Sequence, residues 1–110
     1  MFKLVIFVPL SHLEAVRQAV CQAGAGKSGK YDNCSFYSVG TGTFRPLAGA
    51  KPFIGKQGKI AKVKEARLEV VVPAKLLKQT VAALKKNHPY EEPAFDIIPL
   101  KKNPFTAGRF

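Results

Sequence analysis

The chain is short of acid, of sulfur and of long apolar runs. Seven Asp and Glu stand against eighteen Lys and Arg in 110 residues, a net charge of +11. The two cysteines, Cys21 and Cys34, are too far apart for a CxxC redox pair and too few for a disulfide-dense scaffold. A structural zinc site would need more sulfur or nitrogen ligands close by. Two buried, reduced thiols are expected, Cys21 in a helix and Cys34 in a strand. No apolar stretch approaches the roughly 20 residues that span a bilayer. The opening run from Met1 to Pro9 has no small-residue cleavage site behind it, so it reads as a strand rather than a leader. No membrane partner is expected, and the cytosol is the expected compartment. No Ser/His/Asp or Cys/His arrangement points to a nucleophile, so no catalytic residue is assigned. Helix-turn-helix and RNP-like signatures are missing, as is a platform of aromatics interleaved with basic residues. The lysine surplus therefore reads as a solvated surface rather than a nucleic-acid interface.

What is present is one modest domain, residues 1–110, with a legible order of elements. Residues 2–8 are apolar at nearly every position, with Leu4, Ile6 and Val8 on one side and Val5 and Phe7 on the other. Ser11 and Glu14 form the sequence of a capping box, opening a helix that runs to Ala23 and stops at Gly24. Residues 33–41 read as a second strand, 65–72 as a third and 95–100 as a fourth. A second amphipathic helix is expected over 74–87, with Leu77, Val81 and Leu84 inward. The tail beyond Leu100, with Pro104 and Gly108, is expected to pack loosely through Phe105.

The order βαββαβ predicts an α+β, ferredoxin-like sandwich: a four-stranded antiparallel sheet with two helices on one face. The first and third strands are then central. Val5 and Phe7, with a row of Glu65, Arg67 and Glu69, would lie on the helix-free face. That stripe suggests burial against another copy of the chain.

Three stretches carry candidate chemistry. Gly24-Ala25-Gly26-Lys27-Ser28 resembles part of a phosphate loop, but Cys21 stands where the pattern needs glycine, and the glycines follow a helix instead of preceding one. The connection over 42–64 is long for a compact domain. In it Arg45 and Lys51 are suited to anions, and Phe44 and Phe53 to anchoring the loop on a neighbour. An oligomer-stabilising arm and a ligand-binding loop stand level there. The third stretch, His88-Pro89-Tyr90-Glu91-Glu92-Pro93, is a stiff turn, because its prolines fix φ and push His88 and Glu92 toward extended backbone. His88, Glu91 and Glu92 are candidate ligands for a divalent metal, and His88 and Glu91 a candidate acid–base pair. A structural turn at a subunit contact outweighs both. Tyr90 is expected to be mostly buried with its hydroxyl bonded. One of Glu91 and Glu92 is expected to pair with a basic group such as a lysine or Arg67, the other to face solvent. His12 reads as a surface residue.

Several motifs together resemble the small domain inserted in YqfO proteins of the Nif-three-like family. They are Gly29-Lys30-Tyr31-Asp32-Asn33-Cys34-Ser35-Phe36, Gly40-Thr41-Gly42-Thr43-Phe44-Arg45-Pro46, Lys51-Pro52-Phe53-Ile54-Gly55, Glu65-Ala66-Arg67-Leu68-Glu69 and the stretch from His88 to Asp96. The His-Pro-Tyr-Glu element also resembles CutA, the divalent-ion-tolerance protein. The resemblance implies a PII-like ferredoxin fold in a group that tends to trimerise. It implies no activity, because the metal-binding halves of full YqfO proteins have no counterpart in these motifs. A non-catalytic regulatory or ligand-binding module is the expected function. It would act as a homo-oligomer, with a cleft near Arg45, Lys51, His88, Tyr90 and Glu91 for a small anionic ligand. The alternatives are a CutA-like divalent-metal binder using His88 and Glu91, and a basic nucleic-acid binder.

Overall fold

A computed structural model describes residues 1–105. Strand β1 (Phe2–Pro9) leads through a single 3-10 turn (Leu10–His12) into helix α1 (Leu13–Gln22). Strands β2 (Phe36–Phe44) and β3 (Ala61–Val72) follow, then a second 3-10 turn (Ala74–Leu76), helix α2 (Leu77–Asn87) and strand β4 (Phe95–Pro99). The sheet order is β2-β3-β1-β4, antiparallel throughout, so β1 and β3 are central as expected.

The register explains the core. Leu4 sits opposite Val70, Ile6 opposite Leu68 and Val8 opposite Ala66. These six, with Val72, face Leu13, Val16 and Val20 of α1 and Leu84 of α2 in one buried cluster. Side chains alternate along a strand, so that cluster takes one face of β1 and β3 and leaves the other without helices.

The helix-free face is not bare. Val5 is only 1% exposed within the single chain. Lys3 pairs with Glu69 at 3.3 Å, Arg67 reaches the same carboxylate at 3.5 Å, and the Arg67 guanidinium lies 5.8 Å from the Phe7 ring centre. The chain's own long side chains therefore cover the stripe that suggested a second copy.

Several boundaries depart from the sequence reading. No capping box forms. The 3-10 turn delays α1 to Leu13, the Ser11 hydroxyl goes to His12 Nδ1 at 2.8 Å, and Glu14 binds Arg17 instead. The other end of α1 is as expected. Gly24 has φ +121°, its amide donates to the Cys21 carbonyl, and the Ala25 amide donates to that of Val20, the paired bonds of a Schellman stop. Cys34 lies in the loop before β2 rather than in a strand, and both thiols are free and only partly buried. The 42–64 connection shrinks to 45–60, because Gly42–Phe44 and Ala61–Lys64 pair as the outer end of the β2–β3 hairpin. Phe105 does not pack: it is 91% exposed. Gly108 lies outside the described residues.

Candidate functional site

Where β1 outruns β4, its backbone needs other partners. The β1–β4 ladder ends at Ile6 opposite Phe95. One residue on, the Phe7 amide donates to the Ala94 carbonyl at 3.0 Å. The Phe7 carbonyl takes no further strand bond on that side and accepts from His88 Nε2 at 2.7 Å. His88 Nδ1 accepts the Tyr90 amide at 3.1 Å. These two bonds fix the neutral tautomer with the proton on Nε2. Burial pushes the His88 pKa below its ordinary value, outweighing the opposing pull of the Phe7 carbonyl and the Glu65 charge. The extended backbone at His88, φ −83° and ψ 137°, is the geometry its following proline demands.

That anchored turn holds Tyr90 half-buried, less than the sequence suggested, with its hydroxyl donating to Glu65 Oε2 at 3.2 Å. Burial first, then the Glu65 charge and hydrogen bond, raises the phenol to about 12. The ring meets three others: His88 at 5.0 Å, Phe44 at 5.7 Å and Phe53 at 6.4 Å between centres. His12 joins the group edge-on to Phe53 at 5.3 Å, and is half-buried rather than a plain surface residue. Within the single chain Phe44 and Phe53 thus pack the loop against Tyr90. The loop also folds back on itself: the Gly58 amide donates to the Pro46 carbonyl at 2.7 Å.

Between loop and turn lies a cavity of about 680 Å³, lined by residues 43–50 and 52–54, Glu65, Tyr90, Glu91, Glu92 and Ala94. Of the sequence candidates, Arg45, Tyr90 and Glu91 line it together. Lys51 takes part through its main chain: its amide donates to Glu91 Oε1 at 2.8 Å, while its side chain is exposed. His88 stands behind Tyr90 as its support. Glu91 is therefore paired with a backbone amide, not with a basic side chain, and Arg67 is engaged by Glu69. Glu92, read from sequence only as a candidate metal ligand, lines the cavity too, and Glu65 was missed as a site residue. Glu65 reads from sequence only as part of a strand face, and it reaches the site because Gly42 beside it has no side chain; a Cβ there would overlap the carboxylate.

The His88–Glu91 pair does not fit a metal centre. Both imidazole nitrogens are occupied by main-chain groups, and one Glu91 oxygen is held by Lys51. Among the described residues no group of three or more His, Cys, Asp or Glu could hold a metal ion. Among them, too, no helix is long and apolar enough to cross a membrane.

The chain and its fold have counterparts among known proteins. A protein named GTP cyclohydrolase 1 type 2 homolog, from Halalkalibacterium halodurans, is 49% identical over 108 residues. A crystal structure of a Bacillus cereus protein related to NIF3 superposes with a TM-score of 0.80 at 44% identity, covering 92% of this chain. The chain is a homologue of one segment of these NIF3-related proteins. It spans 29% of the first relative's length and 26% of the second's. The resemblance read from the Gly29–Phe36, Gly40–Pro46 and His88–Asp96 motifs is thereby confirmed. CutA1 from Pyrococcus horikoshii superposes with a TM-score of 0.68 at 17% identity, covering 94% of this chain and 86% of CutA1, and so shares the fold. No family model matches the chain.

Proposed function

We propose that this chain is a non-catalytic binding or regulatory module that takes a small ligand in the cavity between the 45–60 loop and the His88–Ala94 turn. The observation that carries this reading is the double tie between loop and turn. The Glu91 carboxylate holds the Lys51 amide, and Tyr90 packs against Phe44 and Phe53. Those ties preorganise walls that a ligand would otherwise have to order, which lowers the entropic cost of binding. The volume falls in the usual range for small-molecule sites, roughly 300–1,000 Å³. A nucleophile paired with a base is not among the lining groups, which favours binding over chemistry. The module acts as a homo-oligomer, a trimer on the pattern of PII-like proteins. In support, β2 is an edge strand with Phe36, Tyr37 and Val39 about half exposed. The divalent-metal reading has no comparable support, since His88 is committed to the backbone.

The test is a series of amide NMR titrations with small anions, amines and neutral polar molecules. The expected result is saturable shifts confined to residues 43–54 and 90–94 for at least one class, weakened in Arg45→Ala or Glu91→Ala. Shifts scattered over the lysine-rich surface, or none with any class, would overturn the reading.

A further inference from the structure

The cavity has a charge opposite to that of the molecule around it. The chain holds seven acidic and eighteen basic residues. Three of those seven acids, Glu65, Glu91 and Glu92, line the cavity, with only Arg45 of the eighteen bases. Its walls therefore carry a net charge of −2 inside a protein of +11. Of the four carboxylates elsewhere, Glu14 is neutralised by Arg17 and Glu69 by Lys3 and Arg67, while Asp32 and Asp96 stand apart on the surface. Glu65, Glu91 and Glu92 form no salt bridge among the described residues. The hydrogen bonds they accept come from neutral donors, the Tyr90 hydroxyl and the Lys51 amide. Those donors orient the carboxylates without cancelling their charge. Lysines are plentiful on the same loop, yet Lys51, Lys56 and Lys59 are exposed and outside the lining.

The rest of the wall is aromatic. Phe44, Phe53 and Tyr90 all line the cavity, with the Tyr90 ring inclined at 60° to Phe44 and 50° to Phe53. Inclined rings present their electron-rich faces in different directions, the arrangement that surrounds an organic cation better than it stacks a planar ring. An anion would have to desolvate beside three carboxylates and be served by a single guanidinium.

Resting on the reading of this cavity as a ligand site, we infer that its ligand is an aliphatic ammonium compound, with two amino groups matching the two uncompensated charges. This reverses the anionic ligand expected from Arg45 and Lys51 in the sequence. Glu91 and Glu92 receive one ammonium group at the turn, and Glu65 with the face of Tyr90 receives the other. The methylene chain between them lies against Phe44 and Phe53.

The experiment compares three probes of equal length on the full chain by calorimetry and amide NMR: diaminobutane, butanediol and succinate. Diaminobutane is expected to saturate with shifts at 43–54 and 90–94, to bind more tightly than the diol, and to lose that advantage as salt screens the exposed glutamates. Glu91→Gln and Glu92→Gln are each expected to weaken it by about two- to fivefold, the range for exposed ion pairs. Phe53→Leu should do so by a similar factor through its lost ring face, roughly two- to fivefold. Both glutamates are exposed, so these variants fold even if Phe53→Leu does not. Succinate or butanediol binding at the same residues as tightly as the diamine would overturn the cationic inference and leave the ligand site standing. No saturable shift with any of the three would overturn both.

Discussion

At the scale of single residues, His88 is the most consequential side chain of the site, and its part is structural. It replaces the strand that β1 lacks beyond Phe95, satisfying a carbonyl that the sheet leaves open. Its native pKa is depressed by burial, so the unfolded chain binds a proton more readily than the folded one. Stability then rises with pH in the window between the two values. The melting temperature is expected to be level above about pH 7 and to fall as pH drops through the unfolded value of about 6.5, flattening again below the native value. His88→Gln keeps a donor but cannot titrate, so its profile should lose that step; an unchanged step would remove His88 as its source. Tyr90 gives the mirror case. Its phenol, raised to about 12, stays neutral in the fold where an ordinary tyrosine ionises near 10. The stability it contributes is complete below about pH 10 and is lost as pH climbs toward 12. Ultraviolet titration should show a late-ionising phenol that is absent in Tyr90→Phe.

At the scale of elements, the helix stop at Gly24 fixes how α1 meets α2. An alanine there would hold φ at +121°, and its Cβ would overlap Leu76 Cδ1. Left-handed backbone alone costs a non-glycine residue roughly 1–2 kcal/mol. Gly24→Ala should therefore lower the melting temperature by roughly 5–10 °C in a domain of this size. A loss under a degree would mean that the turn relaxes freely. This element was legible from sequence because a glycine after an amphipathic run has one common use. The start of the same helix was misread: Ser11 and Glu14 have capping-box spacing, but Ser11 falls inside the 3-10 turn and His12 stands at the N-cap of α1. The outer hairpin was missed for a related reason. Gly42 disfavours a strand on propensity, and only the pairing of residues 42–44 with Val63, Lys62 and Ala61 makes one. With that end read as loop, Glu65 could not be placed beside Tyr90. Arg45, Tyr90 and Glu91 were legible because charged and aromatic residues amid prolines have few other uses. The partner of Glu91, a backbone amide forty residues away, leaves no mark in sequence.

At the scale of the whole molecule, the hairpin makes the chain elongated, about 48 Å long and 24 Å across, with a radius of gyration of 15.0 Å against roughly 13 Å for a compact domain of this length. One long edge is β2, whose outer backbone groups have no strand partner and whose first six residues are exposed. Such an edge recruits another strand unless charge or proline blocks it, and β2 contains neither. Opposing it is the +11 net charge, which repels a second copy over roughly the Debye length, about 8 Å at physiological salt. Backbone pairing and burial of Phe36, Tyr37 and Val39 are short-ranged and little screened, whereas the repulsion is screened. Self-association should therefore strengthen as salt is raised, the reverse of an assembly held by ion pairs. Sedimentation at micromolar concentrations should show an oligomer whose association constant rises with salt. Val39→Lys, which adds like charge to the edge without touching the core cluster, should yield monomer with little change in melting temperature. A wild-type chain that stays monomeric across the salt series would rule out the β2 edge as an interface, and an oligomer that dissociates in salt would assign the contact to charged side chains instead.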